Sequence, residues 1–125
     1  MVEFILYVSN QEQSKNFYKT LLNKEPVLDV PGMTEFILSE NCKLGLMPND
    51  GIATILGDKV PHPSEGTGIP RCELYLTFKN AEEIFRTAIY HGAKLISPIE
   101  KRNWGDSVGY ISDPDGHIIA LVQKQ

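Results

Sequence analysis

The feature that most constrains this chain is an echo of its own beginning. The stretch "EFILYVSNQE" at residues 3–12 lies over "ELYLTFKNAE" at 73–82 with Glu3 on Glu73, Leu6 on Leu76, Asn10 on Asn80 and Glu12 on Glu82, four matches in ten positions. A count that small means little until the two stretches also agree in predicted structure. Each opens with a β-branched and aromatic run of strand length. Each then meets an Asn suited to cap a helix, with Gln13 or Glu83 three residues on, the spacing of a capping box.

The helices that follow carry one apolar stripe each. Phe17 and Leu21, and Tyr18 and Leu22, fall at i, i+4 in the first; Ile84 and Ala88, and Phe85 and Ile89, do so in the second. Pro26 is expected to stop the first helix and Gly92 the second. Three strand-like runs come after each helix. They are "PVLDV", "MTEFIL" and "CKLGLM" in the first half, and "AKLISP", "DSVGYIS" and "HIIALV" in the second. Asp113-Pro114-Asp115-Gly116 separates the last two, and it reads as a hairpin turn: Pro fixes φ, Asp closes the turn locally, Gly accepts positive φ. The predicted order is therefore strand, helix, three strands, twice over. The boundaries are module one at 1–50, a connection at 51–70 and module two at 71–125.

Around that connection, residues 48–70 hold four prolines and four glycines, the composition of a linker or a binding loop, with "IATIL" able to form a short helical turn. A net charge of -4 and twelve scattered Lys and Arg give no basic footprint, so nucleic acid is not an expected partner. Cys42 and Cys72 lack C-x-x-C spacing and read as ordinary small residues in a reducing compartment. The start "MVEFILYVSN" has neither a basic n-region nor a span-length apolar run, so neither a signal peptide nor a membrane span is expected, and we read the protein as cytoplasmic.

With the modules in place, "NFYKTLL" after Ser14 and the closing "WGDSVGYISDPDGHIIALVQ" resemble the glyoxalase, bleomycin-resistance and extradiol-dioxygenase superfamily, the vicinal oxygen chelate proteins. The resemblance covers nearly the whole chain. It implies an α+β fold of two βαβββ modules forming a curved mixed sheet around a cleft, and a homodimer. Metal-dependent members hold their ion through the first and last strands of each module. Carried over residue by residue, those positions are Glu3, Gly45, Glu73 and Ala120. Two of the four have no donor atom, whereas zinc, nickel and iron sites use three or four ligands. We expect no cofactor, with only a weak site for a hard divalent ion left open.

Side chains alternate along a strand, which puts Ala120 with Ile118 and Val122, and His117 on the other side. His117 is therefore read as a hairpin-end residue without a ligand role. The same alternation, applied to the resemblance, lines the expected cleft with Tyr7, Met47 and Tyr75, with Glu35 joining if its register turns it inward. Trp104 is expected either to stack on a ligand or to pack structurally, and Arg102 either to pair with one of the acids or to lie at the surface. Glu3 and Glu73 are the candidate catalytic acids: sharing a dry environment would raise at least one pKa and yield a base, while exposure would make them ordinary strand-end acids. The expected function is binding of a small molecule without a metal or with weak metal assistance. The alternative is a lactoylglutathione-lyase-like lyase or isomerase with Glu73 as base and a divalent ion.

Overall fold

The computed structural model describes residues 1–125. In the opening strand, β1 (Val2–Val8), alternation decides the faces: Leu6 and Val8 are buried while Ile5 and Tyr7 are partly exposed. Asn10 is itself still extended, at φ -141° and ψ 105°, and its side chain accepts the backbone N–H of Gln13 at 2.9 Å, starting α1 (Gln11–Leu22). The helix ends before Pro26 is reached. Asn23 adopts the left-handed conformation at φ 53°, and short polar Asn tolerates that better than most residues.

Strands β2 (Leu28–Val30), β3 (Met33–Ser39) and β4 (Cys42–Pro48) complete a four-stranded sheet in the order β1-β4-β3-β2, with β1 parallel to β4 and the other pairs antiparallel. Tyr18 and Leu21 of α1 and Leu6, Val8, Phe36, Leu44 and Leu46 of the sheet are all buried, and each is worth about 1.5–3 kcal/mol of burial. Gln11 fastens the start of α1 to the β2–β3 hairpin: its Nε2 donates to the Val30 carbonyl at 2.8 Å and to Thr34 Oγ1 at 2.9 Å, and its Oε1 accepts from Gly32 N at 3.0 Å.

The connecting stretch is more ordered than its prolines and glycines predict. Asn49–Leu56 forms a helix, α2, that buries Ile52, and two short 3-10 turns follow at Gly57–Lys59 and Pro63–Gly66. His62 caps the second turn by accepting from Ser64 N, and its Nε2 lies 3.0 Å from Asp50 at the start of α2.

The chain divides into two units, Met1–Thr67 and Gly68–Gln125. The second repeats the plan with β5 (Glu73–Phe78), α3 (Ala81–Tyr90), β6 (Lys94–Lys101), β7 (Ser107–Ser112) and β8 (Ile118–Gln123), ordered β5-β8-β7-β6. Phe85 and Ala88 of α3 and Ile111, Ile119 and Leu121 of the sheet are buried on its helix side. Gly109 leaves room for the Phe85 ring: a Cβ there would lie 2.8 Å from Phe85 Cε2 and 2.6 Å from Ile99 Cγ1.

The predicted second capping box does not form. Asn80 makes no side-chain cap; the Gln123 side chain from β8 instead accepts from Ala81 N at 3.1 Å and donates to the Lys79 carbonyl at 2.7 Å. Gly92, at φ 99°, ends α3 as expected. In the DPDG turn, Asp113 Oδ1 accepts from Asp115 N at 2.9 Å and from His117 N at 2.8 Å, and Gly116 takes φ 88°.

Candidate functional site

Each sheet has one face under its helix and one facing away, and register lists the residues of the second kind. On the first sheet they are Glu3, Ile5 and Tyr7 of β1, Lys43, Gly45 and Met47 of β4, and Glu35 of β3. Glu35 thus joins Glu3 and Met47 on this face, the condition its sequence reading left open. Lys43 Nζ lies 3.4 Å from Glu35 Oε1. Glu3 sits opposite Lys43 in the register, yet its Oε2 is shielded from solvent and takes no hydrogen bond from a donor. Burial, then the hydrogen bond and repulsion of the Glu35 carboxyl, push the Glu3 carboxyl above its ordinary value, partly opposed by Lys43.

On the second sheet the corresponding face carries Glu73, Tyr75 and Thr77 of β5, Ile118, Ala120 and Val122 of β8, and Val108 and Tyr110 of β7. Val108, Ala120 and Val122 form a buried apolar cluster with Tyr110 packed against it. Ala120 and Ile118 share this face, as alternation predicts; His117 stands just before β8, in the turn. Glu73 is exposed, and its carboxylate has neither a hydrogen bond nor an ion pair within the chain.

Beside that cluster lies an ordered aromatic chain. Trp104 Nε1 donates to Tyr75 Oη at 2.8 Å, and Tyr75 Oη donates to Asp106 Oδ2. The Asp106 hydrogen bond pushes the Tyr75 hydroxyl above its usual value, keeping it a neutral phenol. Both rings remain open to solvent, Trp104 at 56% and Tyr75 at 43% exposure. Neither is part of a packed core.

Arg102 pairs with none of the candidate acids. Its guanidinium donates to the Val108 and Pro98 carbonyls and to Ser97 Oγ, and it stacks 5.3 Å over the Tyr110 ring. A residue that spends its donors on three partners of its own unit is a brace, and no feature of the sequence pointed to those carbonyls.

The donor set does not fit the metal that the fold's relatives imply. Position 45 offers nothing, and the space a side chain there would fill is taken by Glu3 Oε2, 2.5 Å from where its Cβ would lie. Position 120 is a methyl group inside an apolar cluster. Elsewhere, donor atoms of Asp113, Asp115 and His117 lie within 4.8 Å of one another, but the Asp113 carboxylate closes the turn on two backbone N–H groups.

Two βαβββ units, each with an antiparallel hairpin run closed by a parallel first strand, define an α+β protein of duplicated modules. Residues 1–124 match the family model described as the glyoxalase-like domain, and the chain belongs to that family. A phenazine antibiotic resistance protein, EhpR, of Enterobacter agglomerans is 31% identical over 121 residues, covering 94% of this chain and 86% of that protein. Among solved structures, a glyoxalase-related enzyme from Fulvimarina pelagi superposes with a TM-score of 0.82 at 21% identity, covering 99% of this chain and 87% of that one. A bleomycin-binding protein complexed with bleomycin gives a TM-score of 0.64 at 16% identity, with coverage of 99% and 96%. No helix is long and apolar enough to cross a membrane.

Proposed function

We propose that this protein binds a small planar aromatic molecule without a metal ion, and that the ligand stacks on Trp104 and Tyr75. The observation that carries this reading is the exposed, hydrogen-bonded chain from Trp104 through Tyr75 to Asp106. Large aromatic rings left in water forgo their burial energy, and rings already locked in one rotamer lose little entropy when a ligand arrives. The neighbouring cluster of Val108, Ala120 and Val122 is buried, so it backs the rings with apolar packing, and the rings themselves form the open surface. Likeness to a phenazine antibiotic resistance protein supports a flat heteroaromatic ligand, taken up by sequestration.

Trp104 is the sole tryptophan, so its fluorescence reports directly on the platform. Titration with phenazine should quench it saturably, and Tyr75→Ala should weaken binding by about tenfold, as expected for loss of one stacking ring worth about 1.4 kcal/mol. No saturable quenching by phenazine or other planar heteroaromatics sinks the reading. Turnover of a hemithioacetal that disappears in Glu73→Gln would replace sequestration with lyase chemistry. The reading also includes a cytoplasmic homodimer, and light scattering showing a monomer at micromolar concentration would remove that part of it.

A further inference from the structure

Strands β1 and β3 flank β4, so residues facing each other across it stand about two strand spacings apart, about 9.5 Å. A β4 residue without a side chain between them opens the room for two side chains to meet over that distance. Gly45 is that residue: its register partner on β3 is Glu35, and on β1 it faces Ile5, next on the same face to Glu3. Glu3 Oε2 fills the vacated volume, 2.5 Å from the position of an added Cβ. Cut off from solvent, that oxygen receives no N–H or O–H bond, and Lys43 serves Glu35 at 3.4 Å instead. The side chain facing it across Gly45 is the Glu35 carboxyl, and two carboxyl groups can bond only when one carries a proton.

We propose that Glu3 and Glu35 close over Gly45 as a proton-sharing carboxyl pair, a proton-binding site in the place where related folds would put a metal ligand. With one proton on the pair and an ammonium on Lys43, the three groups sum to zero charge. A divalent cation entering there would have to release that proton to water and stand beside Lys43. The groups facing Glu3 are Glu35 from β3 and Lys43 from β4, with Tyr7 further along β1; Ile5, Met33 and Gly45 bring no charge. The shared proton also sets the sign of a stability effect. Its contribution is complete below the usual carboxylate range and is lost as pH rises through the raised folded value of Glu3.

This site belongs to the ligand-free chain, so its test is separate from the phenazine titration. Carbon-detected NMR of glutamate carboxyls on the intact protein, followed against pH, should find one group titrating above the usual range. Its midpoint should move down in Glu35→Gln and also in Gly45→Ala, where the added methyl displaces Glu3; the second variant guards against a fold lost in the first. Glu3→Gln should flatten the fall of Tm with rising pH. Mn²⁺ added below the midpoint should leave the Glu3 and Glu35 signals unbroadened. Ordinary titration of both carboxyls, or stoichiometric Mn²⁺ broadening that Glu3→Gln abolishes, would overturn the proposal.

Discussion

The two sheets keep one plan of pairing and part company in what they show on the face away from the helix. The first presents Glu3, Glu35 and Lys43 around a glycine; the second holds a buried cluster of Val108, Ala120 and Val122 beside the exposed Tyr75 and Trp104 rings. Backbone hydrogen bonds and the helix-side core fix the plan, and neither depends on what the outer residues are. The outer face was thus free to diverge. In one unit that freedom produced a charge-balanced acid pair, and in the other a buried apolar cluster beside exposed rings.

The strand glycines sharpen the contrast. Gly109 faces the helix and admits Phe85, whereas Gly45 faces away and admits a carboxylate. Gly109→Ala should therefore cost about 1–3 kcal/mol in chemical denaturation, because the new methyl would press on the buried Phe85 ring. Next in size come the helix starts. Asn10→Ala should cost about 1 kcal/mol, since its side chain satisfies an N–H of α1, while Asn80→Ala should cost no more than a few tenths. Gln123→Ala, which strips the replacement cap from α3, should cost about 1 kcal/mol. Equal costs for Asn10 and Asn80 would mean the two helices begin alike after all. Gly45→Ala should stay below about 1 kcal/mol, because the flexible end of Glu3 can swing out. Smallest of all, Ser14→Ala should be neutral or slightly stabilising, by up to about 1 kcal/mol, since Ser14 Oγ is buried without a partner.

What the sequence revealed follows the range over which each feature is decided. Strand alternation, the i, i+4 stripes, the Asn10 cap and the DPDG turn are settled within a few residues, and the duplication made the strands and the stripes visible twice. The α3 cap was misread because its donor is met by Gln123, 42 residues further on and on another element. Arg102 was left between acid and surface because backbone carbonyls leave no mark in a sequence. The Glu3–Glu35 meeting needed the register of three strands at once. One signal was available: an isolated glycine inside a strand pattern, as at "LGL", often marks a close approach of other atoms.

The contact between Gly116 and Gly68 bears on anyone redesigning the junction. Gly68 donates its N–H to the Asp115 carbonyl at 3.1 Å, and a Cβ on Gly116 would sit 2.7 Å from Gly68 Cα. The first residue of the second unit is latched, bare backbone against bare backbone, to its last hairpin. A protease site, an inserted tag or a permuted terminus should accordingly be cut in upstream of that latch, and one placed just after it would set the hairpin loose.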